Sequence, residues 1–250
     1  MGEPVTITGV GVVSPFGVGL DANRRALFAG EGAVREARTF DAAPYRVKRC
    51  AEVPDFPGSL PEGNDLRRLD RATQLGLVAG MEALERSGLG ITRGERGRFG
   101  LCVGTTLGGM RSGGRFLASF LERGPAGASY PPLLQALPAH QTRDLAGRLR
   151  LHGPSLNVND ACAAGASAIG LAMRRIRDGV LDVALAGGLD PMSEYTFAGF
   201  GSLNLLTEDV GRPFDRGRSG FHLGEGAAFF VLESSAHARS RGARSLGEVA

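Results

Sequence analysis

Few side chains in this sequence can act as nucleophiles, and one of them has a setting suited to it. The stretch "NDACAAGASAIG", residues 159–170, places Cys162 after the apolar segment "SLNVND" and before a run rich in Ala and Gly. That pattern predicts a strand at 155–160, a short turn, and a helix over 162–179. A thiol at a helix start faces free backbone N–H groups and the positive end of the helix dipole, which favours the thiolate. The same N–H groups can hold the oxyanion formed when a thiolate attacks a thioester carbonyl. The competing reading is a packed structural cysteine, because free Cys is among the most buried residue types.

The other candidates are fewer still. Cys102 lies inside the continuous apolar run "RFGLCVGTT" (98–106) and reads as packing; Cys50 completes an odd, widely spaced set of three. With no CxxC pair, neither a disulfide framework nor a zinc site is expected, and no cofactor is implied. The four histidines are His140, His152, His222 and His237, and Lys48 is the single lysine. His152 and His237 read as surface residues, His222 could approach the core, and His140 is the one with a prospective acid–base role.

The elements that must position Cys162 follow from periodicity. "VTITGVGVVS" (5–14), "DVALAGG" (182–188) and "AAFFVLE" (227–233) read as strands, and "SLGEVA" (245–250) as the start of another. Helices are expected over 20–32 and 65–89, the latter with apolar residues at Leu69, Ala72, Leu75, Val78, Met81 and Leu84. Further helices are expected over 110–123 and 134–151, and a helical turn at "SSAHARSRGA". Residues 36–64, with four prolines, read as loop with short extended pieces. Strands alternating with helices imply an α/β layered fold with a mostly parallel mixed sheet between helices. The 250 residues, 42% hydrophobic and 22% charged, fit one globular domain over 1–250. No apolar run reaches the ~20 residues of a membrane span and no signal peptide is evident, so a cytoplasmic location is expected. A net charge of +3 with scattered arginines does not suggest nucleic-acid binding.

Five segments in order, "TGVGVVSPFG", "DACAAGASAIGLA", "DVALAGG", "RPFDRGRSGFHLGEGAAFFVLE" and "AHARSRGA", resemble the β-ketoacyl-acyl-carrier-protein synthases. The resemblance implies a thiolase-like fold, N-terminal half, in fatty acid or polyketide biosynthesis. It makes Cys162 the acyl-accepting nucleophile of a decarboxylating Claisen condensation with a malonyl thioester. It places Leu107 and Gly108, in "VGTTLGGM", and Phe221, in "SGFHLGEG", at the acyl pocket, with Glu225 shaping the core beneath. It assigns Arg67 and Arg68 to docking of the acidic acyl carrier protein, against the plainer reading of a solvated helix face. It also implies a homodimer, or a heterodimer with a ketosynthase-like subunit, through the region up to and including "SLNVND". In the family two histidines and a lysine of the second half complete the chemistry, and none of the four histidines here lies in such a motif. The segment 245–250 would then begin the strand leading into that second half. "FDRGRSGF" departs from the family's "FDxDxDGF", with Gly217 and Ser219 at acidic positions. Two other readings remain: a non-catalytic ketosynthase-like partner subunit, and a cysteine acyltransferase or thioesterase without condensation.

Overall fold

The computed structural model describes residues 4–54, 59–60, 64–66, 69–90 and 96–249. In chain order the first elements are β1 (Val5–Ser14), β2 (Gly17–Val18), α1 (Leu20–Phe28), β3 (Arg35–Glu36), β4 (Arg49–Cys50), β5 (Ser59–Leu60) and β6 (Asn64–Asp65). There follow α2 (Arg71–Ser87), β7 (Phe99–Gly104), α3 (Met110–Gly127), α4 (Pro131–Gln135), α5 (Pro138–Arg148) and β8 (Ser155–Val158). The chain continues through α6 (Ala164–Arg177), β9 (Val183–Asp190), α7 (Glu194–Ser202), β10 (Gly226–Ser234), α8 (Ser235–Ser240) and β11 (Gly247–Val249).

One sheet runs β11-β1-β10-β9-β7-β8, with β2 paired to β1. It is mixed. The parallel ladders join β7 to β8 and to β9, while β10 pairs antiparallel with both β9 and β1, and β11 antiparallel with β1. Alternation along the strands splits the core between two faces. Leu101, Val103, Leu185, Phe229 and Val231 pack with α2 and α5 on one face. Cys102, Ala184, Ala186 and Leu232 meet Ala168, Ala172 and Ile176 of α6 on the other. The sheet thus lies between helices, as the apolar patterning implies.

Helix α2 is capped by the Asp70 side chain, which accepts from the Ala72 N–H at 2.9 Å, and ends at Gly88 with φ 62°. It lies so close to β1 that a Cβ on Gly11 would come within 2.0 Å of the Ala79 carbonyl oxygen. The helix expected over 134–151 is two helices, because Pro138 lacks an N–H and begins a new first turn. Helix α3 carries non-helical backbone at Gly124, φ 65°, just before Pro125. Helix α7 was not foreseen; "EYTFAGFGS" is glycine-rich and aromatic, yet Ser193 caps it and Phe197 anchors it in a small cluster with Val47, Met192 and Leu206.

His237 is not a surface residue. Its Nδ1 lies 2.6 Å from Glu233 Oε2 inside a buried group that also includes the Thr8 hydroxyl and Arg241 Nε at 2.8 Å. Arg241 also donates to the Ser87 carbonyl at 3.0 Å, so the cluster joins β1, β10, α8 and the end of α2. Burial alone would push Glu233 up, but hydrogen bonds from Arg241, Thr8 and His237 hold its carboxyl below the usual range. A depressed carboxylate stabilises the fold above its unfolded-state value of about 4.3 and loses that contribution as pH falls through the folded value. Urea midpoints measured from pH 7 to pH 3 should therefore fall more steeply for the wild type than for Glu233→Gln; parallel curves would contradict this.

Candidate functional site

Cys162 is the exposed cysteine; Cys50 and Cys102 are buried. Burial pushes the Cys102 thiol to about 11, slightly offset by Arg175. Burial, with Glu52 and Glu225 nearby, takes Cys50 to about 12. Both are packing residues.

The helix expected from residue 162 is delayed. Residues Ala161–Ala163 form a single 3₁₀ turn, and α6 starts at Ala164. That turn engages two of the N–H groups expected to be free: Ala163 donates to Asp160 O at 2.9 Å, and Ala164 to Ala161 O. Among the described residues the N–H of Cys162 itself has no acceptor, so it is the donor left for an oxyanion. Ala161 adopts φ 45°, a left-handed conformation that costs a non-glycine residue on the order of 1–2 kcal/mol. The strained residue directly precedes the thiol and lifts it out of the strand line.

Two supports hold this turn, neither of which the sequence signalled. Asp190, the last residue of β9, accepts through Oδ1 from the Thr105 hydroxyl at 2.8 Å and the Leu107 and Thr106 N–H groups at 2.8 and 3.2 Å. The Thr106 hydroxyl, fixed on that loop, lies 3.0 Å from both Asn159 Oδ1 and the Ala161 carbonyl oxygen. From below, a Cβ on Gly104 would meet the Ala164 carbonyl oxygen at 2.2 Å, so the start of α6 rests directly on β7. Thr106→Val should lower the rate of Cys162 acylation roughly 10-fold, since a displaced nucleophile loses near-attack geometry. Thr106→Ser should restore it, as timed intact-mass measurements would show; equal rates for Val and wild type would refute the coupling.

Cys162 opens into a cavity of about 370 Å³ at the end of the sheet where β1, β7 and β9 terminate and β10 begins. Its lining includes Val12, Ala161, Gly165, Gly188, Asp190 and Gly226, and no histidine or lysine. Beneath it Glu225 is buried and accepts from the Val53 and Met192 N–H groups at 2.9 and 3.0 Å and from Arg71 at 2.6 Å. Its place is structural. His140 lies on α5 beside Asp144 and Arg143. Lys48 is spent on the carbonyls of Ala42, Ala43 and Tyr45. Among the described residues no cluster of His, Cys, Asp and Glu could hold a metal ion.

The structure gathers only part of the expected set. Leu107 and Gly108 stand on the Asp190-held loop beside the cavity without lining it. Phe221 is on the wall of a different cavity, next to Leu205 and His222. Its ring packs edge-on against Phe200, with 5.7 Å between centroids. Arg67 and Arg68 lie outside the described residues.

The family model "Beta-ketoacyl synthase, N-terminal domain" matches residues 2–238. The chain belongs to the β-ketoacyl synthase family. It is 33% identical, over 98% of its length, to a 3-oxoacyl-acyl-carrier-protein synthase 2 of Vibrio harveyi. It is 37% identical, again over 98% of its length, to the tetracenomycin polyketide synthase ketoacyl synthase alpha subunit of Streptomyces glaucescens. It covers 61% of each of these relatives. Among solved structures it superposes with a TM-score of 0.90 and 33% identity on the ishigamide ketosynthase/chain length factor, covering all of this chain and 62% of that one. A β-ketoacyl synthase from Burkholderia phymatum gives a TM-score of 0.88 at 30% identity, over 98% of this chain and 62% of that one. The five-segment resemblance and the thiolase-like fold it implied are thereby established.

Proposed function

We propose that this ketosynthase chain carries the acyl-accepting half of a β-ketoacyl-acyl-carrier-protein synthase of fatty acid or polyketide biosynthesis. The observation that carries the reading is the exposed Cys162 on a strained turn, its own N–H free, opening into a cavity at the sheet end. The Cys162 thiolate attacks the carbonyl of an acyl thioester, the carrier sulfur leaves and takes up a proton, and the acyl group remains on Cys162. Leu107 and Gly108, on the loop beside the cavity, bound the acyl chain. Condensation then requires a malonyl thioester to lose CO₂ and its carbanion to attack the acyl-Cys162 carbonyl, releasing the thiolate. No histidine or lysine lines the cavity, and its one carboxylate, Asp190, holds the Thr105–Leu107 loop. A C-terminal half or partner chain therefore supplies the acid–base groups for that step.

The acyl donor is an acyl carrier protein, recognised in part by Arg67 and Arg68, and the enzyme works in the cytoplasm. It pairs with a second copy or with a ketosynthase-like subunit. Supporting this, β8 is an edge strand, and Leu117, Leu121, Tyr130, Leu134 and Leu137 of α3, α4 and their flanks are exposed apolar residues. The ishigamide relative pairs a ketosynthase with a chain length factor. The test is reconstitution. Acyl-loaded wild-type chain, mixed with a chain bearing the histidine motifs and lysine and with malonyl carrier protein, should release CO₂ and form a β-ketoacyl product. Loading without condensation in that mixture would leave the acyltransferase reading instead. Failure to load at all would favour a non-catalytic partner subunit.

A further inference from the structure

A further cavity is formed by residues 33–39 and 52–54 together with the beginnings of α2 and α3. It holds about 770 Å³, within the range of small-ligand sites, and shares no lining residue with the cavity at Cys162. Among the described residues its lining carries five arginines, Arg35, Arg38, Arg71, Arg111 and Arg115, against two carboxylates, Glu36 and Glu52.

The carboxylates in and around this lining are largely committed. Glu52 accepts the Arg38 N–H at 2.9 Å, the Thr39 N–H at 3.0 Å and the Thr39 hydroxyl. Asp70 accepts from the Ala72 N–H and the Ser112 hydroxyl. Glu225 serves Arg71 and the Val53 and Met192 N–H groups. Arg35 donates to the Val34 carbonyl at 2.8 Å, and Arg115 to the Ser112 hydroxyl at 3.1 Å. Among the described residues the guanidinium groups of Arg38 and Arg111 have neither a hydrogen bond nor an ion pair.

Arg111 is the sharpest case. It is half-buried and stands one helical turn from Arg115, a spacing at which like charges repel. Burial, and then Arg71, weaken its hold on a proton; Arg115 adds to this, while Glu225 and Asp70 oppose it. Cations crowded in this way are stabilised by an anion that several of them can share.

We propose that this cavity binds a phosphate dianion, free or as the monoester of a small polar molecule. Its oxygens meet the guanidinium groups of Arg38, Arg111 and Arg115. Each guanidinium offers five N–H donors in a planar fork, so these groups have donors to spare. A phosphate can face three such forks at once, whereas a carboxylate has only two oxygens to share among them. The cavity is also larger than a lone phosphate needs, which leaves room for an esterified body. The site does not depend on the chemistry at Cys162.

The test is calorimetric titration and thermal unfolding of the full chain in phosphate-free buffer. The probes are inorganic phosphate, ribose 5-phosphate, succinate and ribose. At least one of the two phosphates should bind one per chain, roughly 10-fold or more tighter than succinate, and ribose should give no heat. The tighter of the two phosphates shows whether the esterified body is read. Arg111→Gln removes a half-buried charge that has no partner. Without phosphate its melting temperature should therefore match or exceed that of the wild type, while its affinity for phosphate falls roughly 10-fold or more. Arg24→Gln with Arg25→Gln, on α1 and outside this lining, lowers the net charge by two and should leave the affinity unchanged. Succinate binding as tightly as phosphate, an equal loss in the α1 variant, or no binding up to millimolar phosphate would each overturn the proposal. So would unchanged affinity in Arg111→Gln combined with Arg115→Gln. A lower melting temperature for Arg111→Gln without phosphate would overturn it too, because Arg111 would then serve the fold rather than a ligand.

Discussion

Cys162→Ala should take up no acyl group from an acyl thioester at neutral pH, where the wild type gains one acyl mass per chain. The loss should be complete rather than partial because the other two thiols cannot substitute. Cys50 and Cys102 are buried, with thiols pushed to about 12 and about 11. At pH 7 a thiol of that kind is ionised in roughly one molecule in ten thousand or fewer, and the thiolate is the reactive form. Neither buried sulfur, moreover, opens into the cavity at the sheet end. A neighbouring substitution should reproduce much of the loss without touching the sulfur. Gly104→Ala would force a Cβ to within 2.2 Å of the Ala164 carbonyl oxygen, so the start of α6 must move by more than 1 Å. Misplacement of that size costs about 100-fold in rate. Intact-mass analysis under native conditions reads both. An acyl adduct on Cys162→Ala would sink the assignment of the nucleophile, and normal loading of Gly104→Ala would sink the account of how it is held.

Glu225→Ala is expected to be among the most destabilising single changes outside the central core. The Glu225 side chain is fully buried and that of Arg71 is 12% exposed, with 2.6 Å between them. Truncation removes the carboxylate that faces the Arg71 guanidinium and strips the acceptor from two backbone N–H groups, Val53 and Met192. Breaking one side of such a buried pair costs about 3–5 kcal/mol. For a chain of this size that lowers the melting temperature by roughly 10 °C or more. The physical cause is checkable with a second change. If the broken ion pair is responsible, Arg71→Leu added to Glu225→Ala should recover part of the loss, because removing both members of a buried pair costs less than removing one. A double variant no better than the single would show that the lost backbone acceptor dominates. Calorimetry on both variants decides it.

Much of the architecture follows from local pattern. The strands at 5–14, 182–188 and 227–233 are near-continuous apolar or β-branched runs, and α2 announces itself through 3–4 spacing and Gly88. What pattern could not show is where tertiary contact overrides it. The sequence 134–151 keeps a helical period through Pro138, and only the broken backbone separates α4 from α5. The sequence around α7 is poor helix material, made helical by its Ser193 cap and by burial of Phe197. His237 reads as exposed because nothing local shows that Glu233, at the end of the apolar strand, is buried and partnered with it.

The site divides along the same line. Residue types and order alone identified the family, and they singled out Cys162 as the candidate nucleophile and showed no histidine in the family's motifs, because those depend on which side chains exist. Local spacing cannot reveal groups that meet only through the sheet. Asp190, Thr106 and Ala161 are brought together because parallel β7 and β9 end side by side. Tertiary contact likewise leaves the Cys162 N–H free and sets Phe221 beside Arg35 and Arg49, which are remote from it in the chain.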